Sequence, residues 1–219
     1  PEINFGNNQN LSEIKLFWPA PKRFIFEGMQ NFGYEKKIIF PITATVTTTK
    51  EPLVLQANIT ALACKDICVP IDGNLNLTIP VGNPVKTEHA ASIYLFEKRV
   101  PTKATWPGFK IRNVITNKNS ILIKVKSKHP LIKPDVFIES ENAFRFGKPE
   151  ISMSNNRLNA SFILSNDIPT DTNLAEIPIT ITVVDGKKSV EVRRSLRREL
   201  VTKPAQSYIN FNWLTVLLA

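Results

Sequence analysis

The sequence predicts a mainly all-β protein with two β-sandwich domains in tandem and one short helix between them. Runs of β-branched and aromatic residues, some of which alternate with polar residues, recur along the chain and are separated by Pro, Gly, Asn and Asp. Many short strands with turn residues between them are typical of β-sandwiches. The length of 219 residues fits two such sandwiches better than one.

The first half of the chain contains three strand-like runs followed by a helical one. The strand-like runs are residues 37–46, 53–62 and 75–79. Residues 86–98 are predicted as the helix, because four residues recur there at spacings of three and four. These four residues are Ala90, Ile93, Tyr94 and Glu97. Pro101 follows closely and ends the helix.

A second series of strands begins after the helix. It comprises residues 109–114, 120–125, 136–139, 159–164 and 177–184. We therefore expect a first domain over residues 1–101 and a second β-sandwich over residues 102–205.

The composition excludes several kinds of functional site. The chain has 42% hydrophobic and 21% charged residues, as globular domains do, but only 2 cysteines, 2 histidines and 8 glycines. A multi-cysteine zinc site, a disulfide-dense scaffold and a glycine-rich nucleotide loop are therefore not expected. The net charge of +9 includes a basic run at residues 187–198. Because that run has no aromatic residues for base stacking, we expect a solvated strand and no nucleic-acid partner.

The last residues of the sequence are increasingly apolar. Residues 209–219 are too few to cross a bilayer, which needs about 20 apolar residues. They fit either a terminal element docked on the domain or the start of a transmembrane helix, with Trp213 at the interface. The residues alone leave both possibilities open.

The two cysteines, Cys64 and Cys68, are close enough in sequence for their geometry to be argued. A fully extended chain would separate their Cα atoms by about 13 Å, whereas a disulfide tolerates about 7 Å at most. The chain must therefore reverse within Lys65, Asp66 and Ile67 if the two sulfurs are to bond. A three-residue hairpin loop would place Cys64 opposite Cys68, and Asp favours such turns.

Three roles for this pair remain open on the residues alone. A disulfide that closes so small a ring stabilises the fold by only about 2 kcal/mol. A structural role would therefore contribute little, and a redox-active disulfide that exchanges with other thiols is favoured. A metal site would have to recruit His89 and His129, whose spacing does not fit a zinc finger. Lys65 favours a thiolate at Cys64 and Asp66 opposes it, so the neighbouring charges do not select the nucleophile.

Several motifs in their order along the chain resemble the N-terminal domain of the thiol:disulfide interchange protein DsbD. They are Trp18-Pro19, Phe26-Glu27-Gly28, Tyr34, Phe40-Pro41-Ile42, the segment from Ala63 to Pro70, and Leu75-Asn76-Leu77. The chain is most similar to the branch that contains the suppressor of copper sensitivity protein ScsB. Residues 134–139 and 144–149 resemble the extra periplasmic portion of that branch. Residues 211–219 resemble the entry to the first transmembrane helix of the family, which implies that residues 206–219 are the start of a truncated transmembrane helix.

The resemblance implies an immunoglobulin-like redox domain in the periplasm, anchored to the inner membrane in the full-length protein. Cys64 and Cys68 would take electrons from the thioredoxin-like and transmembrane domains of the same protein and pass them to oxidised periplasmic proteins, without a cofactor or metal. The chain would thus be a protein-disulfide reductase domain. The alternatives are a non-enzymatic β-sandwich interaction domain with a structural disulfide, and a copper-binding module.

The resemblance also implies a cap over the cysteines. In DsbD a Phe-Tyr-Gly loop covers the pair until a partner displaces it, and here Phe26, Glu27 and Gly28 occupy those positions. Phe26 and Gly28 match the loop, whereas Glu27 replaces the tyrosine. The cysteines here are separated by three residues instead of the five in DsbD, which favours the ScsB-like branch.

Overall fold

A computed structural model describes residues 1–26, 28–103, 108–117, 120–140, 146–165 and 178–195. The strands of the first half are β1 (Glu2–Phe5), β2 (Leu11–Leu16), β3 (Lys22–Phe26), β4 (Met29–Gly33), β5 (Ile42–Val46), β6 (Leu53–Cys64) and β7 (Cys68–Ile79). One helix, α1 (Ala90–Glu97), follows them. The strands of the second half are β8 (Thr102–Lys103), β9 (Phe109–Asn117), β10 (Ser120–Ser127), β11 (Pro134–Ser140), β12 (Glu150–Met153), β13 (Asn159–Ser165), β14 (Pro178–Asp185) and β15 (Lys188–Ser195).

The described strands pair only within their own half of the chain. The first half forms a sheet in the order β1-β6-β7 and two two-stranded sheets, β2-β5 and β3-β4. The second half forms two four-stranded sheets, β12-β13-β10-β9 and β11-β14-β15-β8. All pairs are antiparallel except β15 with β8. The expected all-β class is confirmed, and the division into domains at residue 101 stays a prediction.

The second half has the more tightly packed core. Alternate residues of β10 and β13 are buried, as expected of strands with one face toward a second sheet. Phe162, Ile121 and Ile181 each have no exposed surface. The first half is more open, with an apolar cleft of about 340 Å³ between β6 and the segment that enters β5. Phe5, Phe40 and Leu55 are among the side chains that line this cleft.

Several predicted elements differ in their bounds or faces. The run at 37–46 becomes a strand only at Ile42, because the proline at position 41 has no N–H to donate to a ladder. The helix is shorter than predicted, and its N-cap residue makes no side-chain capping bond. The predicted helix is therefore present, and its buried side chain is Phe96, whereas Ile93 and Tyr94 are 37% and 54% exposed. Residues 188–195 of the basic run form β15, in which Val190 is buried, and residues 196–198 lie outside the described residues.

The β3-β4 hairpin connects the two halves through side chains. The guanidinium of Arg23 donates to both carboxylate oxygens of Asp135, at 2.9 and 3.0 Å, and to the carbonyl oxygen of Val136 at 2.7 Å. The same guanidinium lies 4.9 Å from the ring centroid of Phe32 and 5.2 Å from that of Phe137. We call this set of contacts the Arg23 clasp. Because the Arg23 side chain is only 9% exposed, water screens its ion pair weakly.

Glu139 lies on β11, the strand that also carries Asp135, and the shift of its pKa can be tested by mutation. Partial burial raises the pKa of Glu139, and the carboxylate of Glu191 raises it further. A carboxyl whose pKa is raised on folding contributes stability below its unfolded pKa and loses it as the pH rises through the folded value. The variant Glu139→Gln should therefore have a higher denaturation midpoint at pH 7 than the parent protein, and an equal one near pH 3. The exposed Glu150→Gln is the control, and equal midpoints for Glu139→Gln and the parent at pH 7 would refute the prediction.

Candidate functional site

The two cysteines lie at the end of the long β6-β7 hairpin. The register of the two strands runs from Leu53 opposite Ile79 to Cys64 opposite Cys68 without a shift. Directly opposed residues of antiparallel strands lie close together, at about 4.5–5.5 Å between Cα atoms. The Cα atoms of the two cysteines are 4.1 Å apart, and their sulfurs form a disulfide with an S–S distance of 2.06 Å. The predicted opposition of Cys64 and Cys68 is therefore confirmed.

The turn between the cysteines closes in three residues. The N–H of Lys65 donates to the carbonyl oxygen of Ile67 at 3.2 Å, which holds the reversal. The ammonium of Lys65 lies 3.8 Å from the carboxylate of Asp66. The side chains are 93% and 88% exposed, so this ion pair contributes little to stability. Its two charges offset each other, and the turn presents no net charge beside the sulfurs.

The distal part of the hairpin is open to solvent. Every residue of β7, including Cys68, is exposed, and Cys64 is exposed as well. Leu62 and Ile67 beside the disulfide are 69% and 70% exposed. Exposed apolar side chains grouped in this way are typical of interaction surfaces. The site therefore presents an accessible disulfide within a neutral and apolar surface.

The predicted cap residues belong to the β3-β4 hairpin. Phe26 is half-buried and pairs with Met29, so the chain reverses direction between these two residues. Gly28 has a φ of 74°, a conformation that glycine adopts without steric cost. Glu27 lies outside the described residues. Both cysteines are exposed, so no residue in the described part of the chain encloses the disulfide. The capping role of Phe26, Glu27 and Gly28 stays a prediction.

Three of the aromatic motif residues form one cluster. The ring centroid of Phe40 lies 4.9 Å from that of Trp18 and 5.4 Å from that of Tyr34, both in edge-on contact. The hydroxyl of Tyr34 donates to the carbonyl oxygen of Pro19 at 2.8 Å. Desolvation, reinforced by the charge of Glu139, raises the pKa of Tyr34 to about 12. This phenol therefore stays protonated at neutral pH, and the cluster stabilises the base of the β3-β4 hairpin.

The structure shows no grouping that favours a metal. Within the described ranges, no three residues among His, Cys, Asp and Glu lie close enough together to hold an ion. His89 pairs with Glu88 at 3.7 Å, and the His129 backbone pairs with the hydroxyl of Ser127. Both cysteine sulfurs are bonded to each other. The predicted membrane segment, residues 206–219, lies outside the described residues, and none of the helices described is long and apolar enough to span a membrane.

Sequence reasoning missed the Arg23 clasp. Arg23 and Asp135 are 112 residues apart, and neither belongs to a motif with a known role. The only available signal was local: Arg23 directly precedes three apolar residues in a short strand, and a charged residue that becomes buried requires a partner.

Comparison with known proteins relates both halves of the chain to known sequences. Residues 1–80 match the family described as the N-terminal domain of the thiol:disulfide interchange protein DsbD. Residues 99–199 match a family described only as a domain of unknown function. No curated protein matches the chain.

One solved structure shares the fold over most of the chain. It is the crystal structure of the N-terminal periplasmic domain of ScsB from Proteus mirabilis, with a TM-score of 0.67 and 19% sequence identity. The match covers 90% of this chain and 77% of that one. At this identity the likeness establishes the fold.

Proposed function

We propose that this chain, whose residues 1–80 belong to the family of DsbD N-terminal domains, exchanges disulfides with other proteins through Cys64 and Cys68. The observation that carries the proposal is the exposed disulfide at the end of the β6-β7 hairpin. Exchange requires a thiolate to reach a disulfide sulfur, and both sulfurs lie on residues open to solvent. A structural disulfide, by contrast, is usually protected from such attack.

The reaction proceeds in two steps in the direction of reduction. In the reduced protein, the thiolate of one cysteine attacks a sulfur of the oxidised substrate, forms a mixed disulfide and releases a substrate thiolate that takes up a proton. The second cysteine, deprotonated in turn, attacks its neighbour's sulfur. This attack regenerates the Cys64–Cys68 disulfide and releases the second substrate thiol. Two electrons thus pass from the chain to the substrate.

The partners follow from the same proposal. Reducing equivalents enter from a thioredoxin-like domain and a transmembrane domain of the same protein, and leave to oxidised periplasmic proteins. The apolar residues Leu62 and Ile67 beside the disulfide suit a partner that presents an apolar surface around its own cysteine. In this account the protein is a periplasmic protein-disulfide reductase domain, attached to the inner membrane through residues 206–219.

Trapping experiments test the exchange function directly. In Cys64→Ala and in Cys68→Ala, the remaining thiol cannot be released by its neighbour, so a mixed disulfide with an oxidised protein substrate should accumulate. We expect at least one of the two variants to give a covalent complex on non-reducing gels that disappears with excess dithiothreitol. No complex with either variant would contradict the proposal and favour a structural disulfide in an interaction domain.

A further inference from the structure

The excess positive charge of the chain lies almost entirely in its second half. Residues 1–100 contain ten Lys and Arg residues against nine Asp and Glu residues, whereas residues 101–219 contain eighteen against ten. The second half therefore carries eight of the nine net positive charges. Because the disulfide belongs to the first half, the exchange chemistry does not account for this charge.

Five of these cations lie together on the outer side of the sheet β12-β13-β10-β9. Alternate residues of β10 from Ile121 to Ser127 are buried in the core, so the side chains between them point outward. The paired strand β9 continues this outer side with exposed residues of its own. We call the five exposed cations of β9, β10 and the residue after β10 the cationic face: Lys110, Arg112, Lys124, Lys126 and Lys128.

The arrangement of these cations does not favour the stability of the sheet itself. Lys126 lies directly opposite Lys110 in the β9-β10 ladder, and like charges that face each other across a sheet are destabilising. Arg112 lies where the register shifts between Lys124 and Val125, and such bulges commonly redirect a side chain. Local arrangements that reduce stability are expected mainly at functional sites.

The described carboxylates leave the cationic face unneutralised. None of its five cations forms an ion pair with a carboxylate in the part of the chain that the structure describes. Glu150 shares the outer side of the sheet, but it lies on β12, two strand spacings or about 10 Å from β10. The other described carboxylates of the second half lie on the second sheet, and they are Asp135, Glu139, Asp185 and Glu191.

A surface of anionic phospholipid headgroups fits the cationic face better than a protein or a nucleic acid does. Lys is depleted at protein–protein interfaces, whose centres are rich in aromatic and apolar residues. No aromatic residue is exposed among the described residues of β9 and β10, so base stacking has no support there. Anionic headgroups, by contrast, attract Lys and Arg without a shaped pocket, and each such cation strengthens binding by about fivefold.

The sequence after β15 supports the same choice. Thirteen residues separate the end of β15 from the apolar run at residues 209–219. Thirteen residues span at most about 45 Å when fully extended. A membrane that held this apolar run would therefore lie within reach of the second half of the chain.

We propose that the cationic face docks the second half of the chain on a surface of anionic phospholipids, with the opposed pair Lys110 and Lys126 at the centre of the contact. Anionic phosphates beside the two lysines offset the repulsion between them. Docking is a function of the second half in addition to disulfide exchange. It rests on the membrane attachment proposed above and does not depend on the chemistry of the cysteines.

Binding of the 219-residue chain to lipid vesicles tests this docking. Vesicles of equal parts phosphatidylglycerol and phosphatidylcholine are anionic, and vesicles of phosphatidylcholine alone are neutral. We expect the parent protein to bind the anionic vesicles at least about tenfold more tightly, with a preference that falls as the salt concentration rises. In Lys110→Gln/Lys126→Gln, binding to anionic vesicles should fall at least about fivefold. Binding of the same variant to neutral vesicles should not change.

The matched control is Lys50→Gln/Lys86→Gln, which removes the same charge from exposed residues of the first half. It should bind anionic vesicles within about twofold of the parent protein. Lys110→Gln/Lys126→Gln should keep or raise the midpoint of urea denaturation, because it removes a like-charge repulsion. If that variant does not fold, Lys124→Gln/Lys128→Gln on the same face decides the question.

Three results with vesicles would each overturn the inference. They are equal binding of the parent protein to both kinds of vesicle, parent-like binding by Lys110→Gln/Lys126→Gln, and an equal loss in Lys50→Gln/Lys86→Gln. Retention of the parent protein on a polyglutamate matrix without a preference for anionic vesicles would assign the face to an acidic protein, and it would also overturn the inference. Binding to neutral vesicles reports the apolar run alone, so a failure of membrane attachment and a failure of docking give different results.

Discussion

The double variant Cys64→Ala/Cys68→Ala should lose all disulfide exchange and keep its fold. Both sulfurs are required, because one forms the mixed disulfide and the other resolves it. The loss of stability should be small. Closing a ring of five residues restricts the unfolded chain and thereby contributes only about 2 kcal/mol to the free energy of unfolding. The β6-β7 ladder, which runs from Leu53 opposite Ile79 to the cysteines, remains to hold the hairpin.

The experiment compares exchange and stability in the same samples. Reduction of an oxidised protein substrate reports exchange, and urea denaturation reports the free energy of unfolding. Thr60→Val is a matched control in the same hairpin, because it removes the hydrogen bond of 2.9 Å from the Thr60 hydroxyl to Asp72 and leaves the cysteines in place. Exchange that persists in the double variant would exclude the pair as the redox site. A loss of more than about 4 kcal/mol, far above the loop-closure value, would instead indicate a structural role.

Phe162→Ala should strongly destabilise the second half of the chain. Phe162 is fully buried in the core between the two four-stranded sheets. Truncation of a buried Phe costs about 3–5 kcal/mol, a large share of a total stability of about 5–15 kcal/mol. Since strand pairing does not cross between the described halves, amide hydrogen exchange should accelerate in β10, β13 and β14 more than in β6.

The neighbouring residue Ile163 provides the control. It lies on the same strand with its side chain on the opposite face and is 40% exposed, so Ile163→Ala should cost about 1 kcal/mol or less. Equal acceleration of amide exchange in β6 and β13 of Phe162→Ala would show that the two halves unfold as one unit. That result would contradict the predicted division into two domains.

Local sequence signals predicted the disulfide hairpin well. The spacing of Cys64 and Cys68 limits the chain to a tight reversal if the sulfurs bond, and the structure has that reversal with the cysteines in opposition. The predicted strand at 75–79 was nevertheless too short, because β7 begins at Cys68. Pro70 and Gly73 indicate a turn in sequence, yet an edge strand tolerates both residues. β7 is an edge strand because the sheet has the order β1-β6-β7. The residue pattern within a single strand does not indicate this order.

Features that depend on distant residues were not predictable in this way. Arg23 acquires its role only because folding brings Asp135 to it, and no periodicity encodes a contact across 112 residues. The spacing predicted the helix, but the face on which it packs was not predictable for a related reason. Ile93 and Tyr94 recur at helical spacing, but the element packs through Phe96, and which face is covered depends on where the rest of the chain lies.

The reduction potential of the Cys64–Cys68 disulfide tests the central claim most directly. A disulfide that takes electrons from a thioredoxin-like donor, with a potential of about −270 mV, and passes them onward must lie near or above that value. We expect equilibration with dithiothreitol or glutathione buffers to give a potential above roughly −300 mV. A potential below roughly −300 mV, the range of stable structural disulfides, would contradict an exchange function.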